Sequence, residues 1–236
     1  MITIDALTLR YGSLTALDGV TMHLAECAVH GITGAAGAGK SSLLDAVYGL
    51  VAPDGGTVSR AGHPLRRRDM AYLEGRDILY GGLTGRDLLD MTARYRPGYD
   101  PAPLVRLFGL PLGQRVDTWT PERRRKLALC IVLMQRKPLL LLDEPFRGLG
   151  IEEALAVQEL LRSRKSEGAT ILLTSREFAP LEALCDDIRR LEGGRLTAEY
   201  RRGEYARAAE AARQAEELEE LLRRSGLTHF DNGKIN

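Results

Sequence analysis

The chain has 236 residues, and its 33 Lys and Arg nearly balance its 32 Asp and Glu, for a formal net charge of +1. The length suits one large α/β domain, and the composition, 44% hydrophobic and 28% charged, is typical of a water-soluble protein. No apolar run approaches the length of a membrane span. Three isolated cysteines argue against both a disulfide framework and a zinc site.

These observations exclude several classes of protein. The first residues show no secretory signal pattern, so we do not expect a secreted protein. Near-neutral charge speaks against non-specific nucleic-acid binding. We therefore expect no nucleic-acid partner and no direct insertion into a membrane.

The first quarter of the chain is rich in strand signals. Short apolar runs bounded by turn residues predict strands at residues 2–9, 17–24 and 29–33. Residues 40–48 predict a helix that Gly49 ends. A strong turn at residues 53–56 is followed by a predicted edge strand at 57–59.

The middle of the chain has a helical pattern over residues 83–135, with breaks near Pro97-Gly98 and Pro111. Four leucines at 139–142 predict a fully buried parallel strand. Beyond them, alternating signals predict helices and strands, at residues 151–166 (helix), 169–174 (strand), 181–184 (helix) and 188–191 (strand, before the Gly193-Gly194 turn). The alternation predicts an α/β fold, a parallel sheet with a helical insertion.

The tail differs from the rest. Residues 204–224 are alanine-rich and densely charged, and the pairs Glu219/Arg223 and Glu220/Arg224 have the i,i+4 spacing of a helix. A solvated charged helix is the favoured interpretation, and a helix that contacts a partner is the alternative.

A phosphate-binding loop is the sharpest motif. It has the expected context between a strand and a helix, and it reads Gly34-Ala35-Ala36-Gly37-Ala38-Gly39-Lys40-Ser41. Small residues let backbone N–H groups curl around phosphate oxygens at a helix N-terminus. Lys40 is expected to reach the β- and γ-phosphates and Ser41 to ligate Mg²⁺. A glycine-rich turn that binds nothing is the alternative, and the full match disfavours it.

The second half of such a site is an apolar strand that ends in acids. Residues 139–142 lead into Asp143 and Glu144, about 100 residues after the phosphate loop. Asp143 is expected to hold Mg²⁺, and Glu144 to act as the general base for an attacking water. The alternative is an acidic strand end without a catalytic part. Together the two motifs predict that the chain binds ATP and Mg²⁺.

Taken with these motifs, the chain resembles the ATP-binding cassette family, the motor subunits of ABC transporters. The double serine Ser41-Ser42 belongs to the resemblance, and Tyr11 matches the aromatic residue that stacks on adenine. The resemblance implies a P-loop NTPase with a RecA-like core and an N-terminal antiparallel β portion. The implied ATP-binding domain spans residues 1–200, with a helical subdomain inserted at about 76–136. A charged helix and tail follow at 201–236.

Four positions depart from the family pattern. Gly75 takes the place of the usual glutamine, next to Glu74, and the segment 119–123 replaces the signature Leu-Ser-Gly-Gly-Gln. Gly150 replaces the aspartate that couples the two sites, and Arg176 replaces the switch histidine. A guanidinium only donates hydrogen bonds, so Arg176 can stabilise charge but cannot relay protons.

The altered signature segment is still a sound helix start. Thr120 is a suitable N-cap and Pro121 suits the first helical position. As a clamp for a γ-phosphate it is doubtful, because Pro121 lacks an N–H and Glu122 adds negative charge. The following Arg123, Arg124 and Arg125 offer electrostatic compensation, although a solvated basic face is the favoured interpretation.

The resemblance and its departures together suggest a degenerate cassette. We expect an ATP-binding motor subunit of a membrane transporter, an exporter by resemblance, with weak ATP hydrolysis. Its expected partners are separate transmembrane subunits and a second cassette, an unlike one being favoured over a homodimer. Its expected place is the cytoplasm, peripheral at the inner face of the cell membrane. A non-hydrolysing regulatory subunit and a soluble non-transport ATPase are the alternatives.

Overall fold

The computed structural model describes residues 1–75, 79, 81–95, 100–210 and 213. Within these residues the strands are β1 (Ile2–Tyr11), β2 (Leu14–Leu24), β3 (Val29–Thr33), β4 (Gly55–Arg60), β5 (His63–Pro64), β6 (Met70–Leu73), β7 (Leu139–Leu142), β8 (Thr170–Ser175), β9 (Asp187–Glu192) and β10 (Arg195–Arg201). The α-helices with assigned bounds are α1 (Lys40–Tyr48), α2 (Gly85–Tyr95), α3 (Ala102–Leu107), α4 (Pro121–Met134), α5 (Ile151–Ser166) and α6 (Ala179–Leu184).

The N-terminal portion forms an antiparallel sheet in the strand order β2-β1-β4-β5. Residues 57–59 lie inside β4, which pairs with β1 on one side and with β5 on the other. The prediction of an edge strand there is therefore wrong. The strand β5 was not predicted, because a two-residue exposed strand has no hydrophobic alternation to detect.

A second sheet has the order β10-β9-β3-β8-β7-β6. The strands β9, β3, β8, β7 and β6 are parallel, and β10 pairs antiparallel with β9. The predicted bounds of β3 and β7 are confirmed, those of β8 shift by one residue, and β9 is one residue longer at each end than predicted. The strand β10 was not predicted; its residues are alternately exposed and half-buried, and most of their side chains are polar.

Both faces of the parallel sheet are buried. Successive side chains of β7 point to opposite faces, so Leu140 and Leu142 pack in one core while Leu139 and Leu141 pack in the other. The first core includes α4 and α5, and the second includes α1 and the antiparallel sheet. This arrangement explains why β7 is apolar at every position.

The helices α2, α3 and α4 lie between β6 and β7, where the helical insertion was predicted. Pro111 lies between α3 and α4. The predicted break at Pro97-Gly98 falls outside the described residues, and so does Arg76 at the start of the insertion. The described residues contain no helix that is both long and apolar enough to cross a lipid bilayer.

The described part of the tail begins as a helix. Residues 205–210 are helical, and Tyr205 and Ala208 are buried against the first core. The Tyr205 ring lies 6.1 Å from the Phe178 ring in an edge-to-face arrangement. The predicted pairs Glu219/Arg223 and Glu220/Arg224 lie outside the described residues.

Candidate nucleotide site

Four loops meet at one edge of the parallel sheet. The strands β3, β6, β7 and β8 run in the same direction, so their carboxyl ends share this edge. The phosphate loop follows β3, Gly75 follows β6, the two acids follow β7, and Arg176 follows β8. Crevices at the carboxyl ends of parallel strands are the usual binding sites of α/β sheets.

The phosphate loop turns directly into α1, as predicted. Gly39 lies before the first helical residue with a φ of 104°, in the left-handed region. A Cβ at this position would also lie 2.4 Å from the backbone oxygen of Ala16. Only glycine fits both constraints. The N–H groups at the start of α1 therefore face the loop without a side chain in the way.

Lys40 folds back over the loop it follows. Its Nζ donates to the backbone oxygens of Gly34 at 2.6 Å and Ala35 at 3.0 Å, and the residue is only 6% exposed. Burial lowers the pKa of Lys40 below its ordinary value, and the nearby Glu144 carboxylate partly opposes that shift. The Lys40 ammonium thus lies inside the phosphate loop. There it can donate to charged phosphate oxygens in place of these neutral carbonyl groups.

A chain of short hydrogen bonds orients Asp143. The Ser41 hydroxyl donates to Asp143 Oδ2 at 2.6 Å, and the Thr174 hydroxyl donates to Asp143 Oδ1 at 2.6 Å. Both carboxylate oxygens therefore accept a hydrogen bond from a hydroxyl group, and together these bonds fix the orientation of the carboxylate. The Ser41 hydroxyl and Asp143 Oδ2, which we call the metal pair, are hard oxygen ligands of the kind that Mg²⁺ prefers.

Glu144 has an unusual backbone conformation. Its φ is 50°, a left-handed value that costs a residue with a side chain about 1–3 kcal/mol. Its N–H donates to the Thr174 hydroxyl at 3.0 Å, which helps to hold this conformation. Left-handed backbone of this kind is concentrated at functional sites.

The carboxylate of Glu144 lies between two cations. Its Oε1 is 3.9 Å from Lys40 Nζ and 3.7 Å from Arg176 Nε. The backbone N–H of Arg176 also donates to Glu144 Oε2 at 3.3 Å. The side chain of Arg176 is 63% exposed, so its guanidinium faces the solvent-filled edge of the site. Arg176 thus interacts with the candidate base Glu144 through its guanidinium and through its backbone N–H.

Gly75 lies against the metal pair. A Cβ at this position would be 2.3 Å from Asp143 Oδ2 and 3.4 Å from Ser41 Oγ. A glutamine side chain therefore does not fit at position 75 with the loop in this place. The oxygen ligands present and the open approach over Gly75 fit a Mg²⁺ ion whose other ligands are water and phosphate.

The other predicted site residues differ in their exposure. Tyr11 ends β1 with 45% of its surface exposed, Ala35, Ala36 and Gly37 are exposed, and Ala38 is buried. Ser42 is half-buried in the first turn of α1. Their roles in binding stay predictions.

The altered signature segment starts α4 as predicted. The Thr120 hydroxyl accepts from the Arg123 N–H at 3.4 Å, and Pro121 is the first helical residue. A Cβ at Gly148 would lie 3.3 Å from the Glu122 side chain, so the signature and coupling segments approach one another within the chain. Gly150 precedes α5, and its N–H donates to Glu153 at 2.8 Å.

Three residues of this site were not identified from the sequence. Thr174 joins both acids, and its only signal was a polar side chain inside a fully buried strand. Arg125 was expected on a solvated face, and that expectation is wrong, because Arg125 is 3% exposed and donates to the backbone oxygens of Glu74 and Asp143. Arg147 donates to the backbone oxygen of Gly75 at 3.2 Å. No local pattern distinguishes these arginines from solvated ones.

Comparison with known proteins assigns the family. A family model described as ABC transporter matches residues 17–147. The daunorubicin resistance ATP-binding protein DrrA3 of Streptomyces coeruleorubidus is 32% identical over 212 residues, which cover 84% of this chain and 67% of that protein. The Nod factor export ATP-binding protein I of Paraburkholderia xenovorans is 32% identical over 213 residues, which cover 84% of this chain and 70% of that protein.

A solved structure agrees with these relatives. The structure of the ATP-binding subunit of an ABC transporter matches with a TM-score of 0.76 and 26% identity, covering 97% of this chain and 95% of that one. The fold is thus that of a P-loop NTPase with an antiparallel β portion. The chain belongs to the ABC transporter family and is one of its ATP-binding cassettes.

Proposed function

We propose that this chain is the MgATP-binding motor subunit of an exporter-type ABC transporter, and that its own ATP hydrolysis is weak. The observation that carries the proposal is the convergence of a buried lysine, a metal pair and a glutamate at one sheet edge. The names of the two relatives, which concern drug resistance and Nod factor export, support the assignment to export.

Each of these residues has a role in the proposed site. The N–H groups of residues 34–41 and the ammonium of Lys40 bind the phosphates, and the exposed ring of Tyr11 stacks on adenine. Ser41 and Asp143 hold the Mg²⁺ ion, which supplies neutralising charge to the phosphates when it is bound. Glu144 accepts the proton of an attacking water.

Hydrolysis is proposed to be weak because the groups around the base are altered. Gly75 brings no side chain to the metal pair, and Arg176 cannot accept a proton from the water as a histidine can. The Glu144 carboxylate also faces Lys40 and Arg176 together, so it is shared between two cations before any water is activated.

The proposed partners are separate transmembrane subunits and a second cassette, with an unlike cassette favoured over a second copy of this chain. The altered segments at 119–123 and 147–150 are those that would face such a partner in the family, and a better-equipped cassette would complete the site. The proposed place is the cytoplasmic face of the cell membrane. Co-purification with membrane proteins supports this assignment, and co-purification with nucleic acid contradicts it.

The binding step has a direct test. Calorimetric titration of the purified chain with MgATP is expected to show binding that weakens about 100-fold in Lys40→Ala, because hydrogen bonds to charged groups contribute about 1.5–3 kcal/mol each. Lys165→Ala is the matched control, since Lys165 pairs with Asp186 away from the site. Equal affinities in wild type and Lys40→Ala contradict the proposed site.

A further inference from the structure

The loop that carries Gly75 is held by two arginines from two different parts of the chain. Arg125 comes from the second turn of α4, and its guanidinium donates to the backbone oxygen of Glu74. Arg147 comes from the segment after the two acids, and its Nη2 donates to the backbone oxygen of Gly75 at 3.2 Å. We call this pair the arginine clamp.

Arg125 also holds the end of the neighbouring strand. The same guanidinium donates to the backbone oxygen of Asp143 and lies 3.5 Å from that of Glu144. Carbonyl oxygens partly offset the cost of placing this charge in a site where Arg125 is almost fully buried. The planar guanidinium of Arg125, with several donors in fixed positions, thus joins the ends of β6 and β7. The flexible side chain of a lysine, with a single ammonium group, is less suited to this role.

The clamp sets how closely residue 75 approaches the metal pair. With the carbonyls of residues 74 and 75 both held, the Cα of Gly75 lies where a Cβ would contact Asp143 Oδ2. The Asp143 carboxylate cannot easily give way, because Ser41 and Thr174 hold both of its oxygens. The position in which the clamp holds the loop therefore requires glycine at residue 75, because a side chain there would overlap the Asp143 carboxylate.

We propose that Arg125 and Arg147 are positioning residues for the metal site, which hold segment 74–75 against the metal pair and so shape the Mg²⁺ pocket by backbone instead of by a glutamine side chain. The inference rests on the proposed function, since it concerns the same site. Because Arg125 lies on the helix that begins at Thr120, the clamp also links that helix to the metal pair.

The test separates metal binding from nucleotide binding. Mn²⁺ in place of Mg²⁺ is titrated in the presence of ATP and followed by electron paramagnetic resonance, and ATP affinity is measured by calorimetry in EDTA. Arg125→Gln is expected to lower Mn²⁺ affinity about tenfold, as loss of groups that orient metal ligands does, and to change metal-free ATP affinity less than about twofold. Arg125→Lys is expected to recover part of the loss.

Arg164→Gln is the matched control. Arg164 is also a buried arginine, and it donates to the backbone oxygen of Lys137 before the other end of β7. Its loss is expected to lower the melting temperature without changing Mn²⁺ affinity. If Arg125→Gln does not fold, Mn²⁺ affinity is measured in Arg147→Ala and Gly75→Ala instead. Arg147→Ala removes the hydrogen bond to the Gly75 carbonyl, and Gly75→Ala inserts a methyl group against Asp143.

Two results would overturn the inference. One is unchanged Mn²⁺ affinity in folded Arg125→Gln or, if that variant does not fold, in both Arg147→Ala and Gly75→Ala. The other is an equal loss of Mn²⁺ and metal-free ATP affinity, which indicates general damage to the site. A wild-type chain that binds no ATP with or without metal contradicts the proposed function itself, and is thereby distinguished from failure of the clamp.

Discussion

The phosphate-binding half of the site and the half that would face its partners are built differently. In the first, Lys40 donates to two backbone oxygens of its own loop and the Ser41 hydroxyl donates to the Asp143 carboxylate, with donor–acceptor distances of 2.6–3.0 Å. The second contains Gly75, Gly150 and Arg176, the positions expected to depart from the family pattern. There Arg125 and Arg147, which come from two other parts of the chain, donate to the backbone oxygens of Glu74 and Gly75.

The difference separates two ways of placing groups at the site. Phosphate binding depends on backbone N–H groups and one cation at a helix start, a geometry that few residues can supply. In the other half, Arg125 and Arg147 hold the backbone carbonyls of residues 74 and 75, and these contacts do not require a side chain at position 75.

The largest expected effect concerns ATP hydrolysis at the phosphate-binding half of the site. Glu144→Gln is expected to lower the residual phosphate release about 100-fold, since a general base contributes at least this much, while MgATP affinity stays unchanged. Phosphate release under saturating MgATP is the measurement. Glu159→Gln, an exposed change on α5, is the control. If Glu144→Gln leaves the residual rate unchanged, Glu144 is not the general base of that hydrolysis.

A second change tests how the two acids are held. Thr174→Val removes the hydroxyl that donates to Asp143 and accepts from Glu144, leaving buried polar groups without this partner. The expected loss is about 1–3 kcal/mol in the free energy of unfolding, measured by urea denaturation.

Thr170→Val is the control for this change. Thr170 is a buried residue at the other end of the same strand, and its hydroxyl accepts from the Cys27 N–H. The two variants should lose similar stability, but only Thr174→Val should weaken Mn²⁺ binding. Equal metal affinities in both would show that Thr174 is structural only.

The start of α4 gives a smaller expected effect. Thr120→Ala removes the cap of α4, at an expected cost of about 0.5–2 kcal/mol in the free energy of unfolding. Thr118→Ala is the control, because its hydroxyl donates to a turn outside the helix. Should both variants lose the same stability, the helix start would not depend on Thr120.

The smallest expected effect comes from an ion pair that lies outside both halves of the site. Arg60 donates to Glu26 at 2.8 Å, and this hydrogen bond, together with a second one from the N-terminal ammonium of Met1, lowers the pKa of Glu26 to about 2. The stabilisation from this lowered pKa is present above the ordinary pKa and is lost as the pH falls from about 4.5 towards 2. Glu26→Gln is expected to cost under about 1 kcal/mol at pH 6 and nothing near pH 2. A difference that grows in acid contradicts the assignment.

The sequence predicted the parts of the site that are local along the chain. The predicted bounds of α1, α5, β3 and β7 agree with the structure, because the pattern of apolar residues or a flanking glycine marks each of these elements along the sequence. Thr174 and Arg125 act on residues 30, 31, 18 and 51 positions away, and no short-range pattern records such contacts. β10 was missed because its exposed and half-buried residues are mostly polar.

The most direct test of the account is the turnover of the purified chain alone at saturating MgATP, with Lys40-dependent binding checked in the same preparation. The account predicts tight binding with turnover below about 0.1 s⁻¹, two orders of magnitude under that of a typical enzyme. It also predicts a higher rate when an unlike partner cassette is added. Turnover near about 10 s⁻¹ by the chain alone, lost in Lys40→Ala and Glu144→Gln, would contradict it.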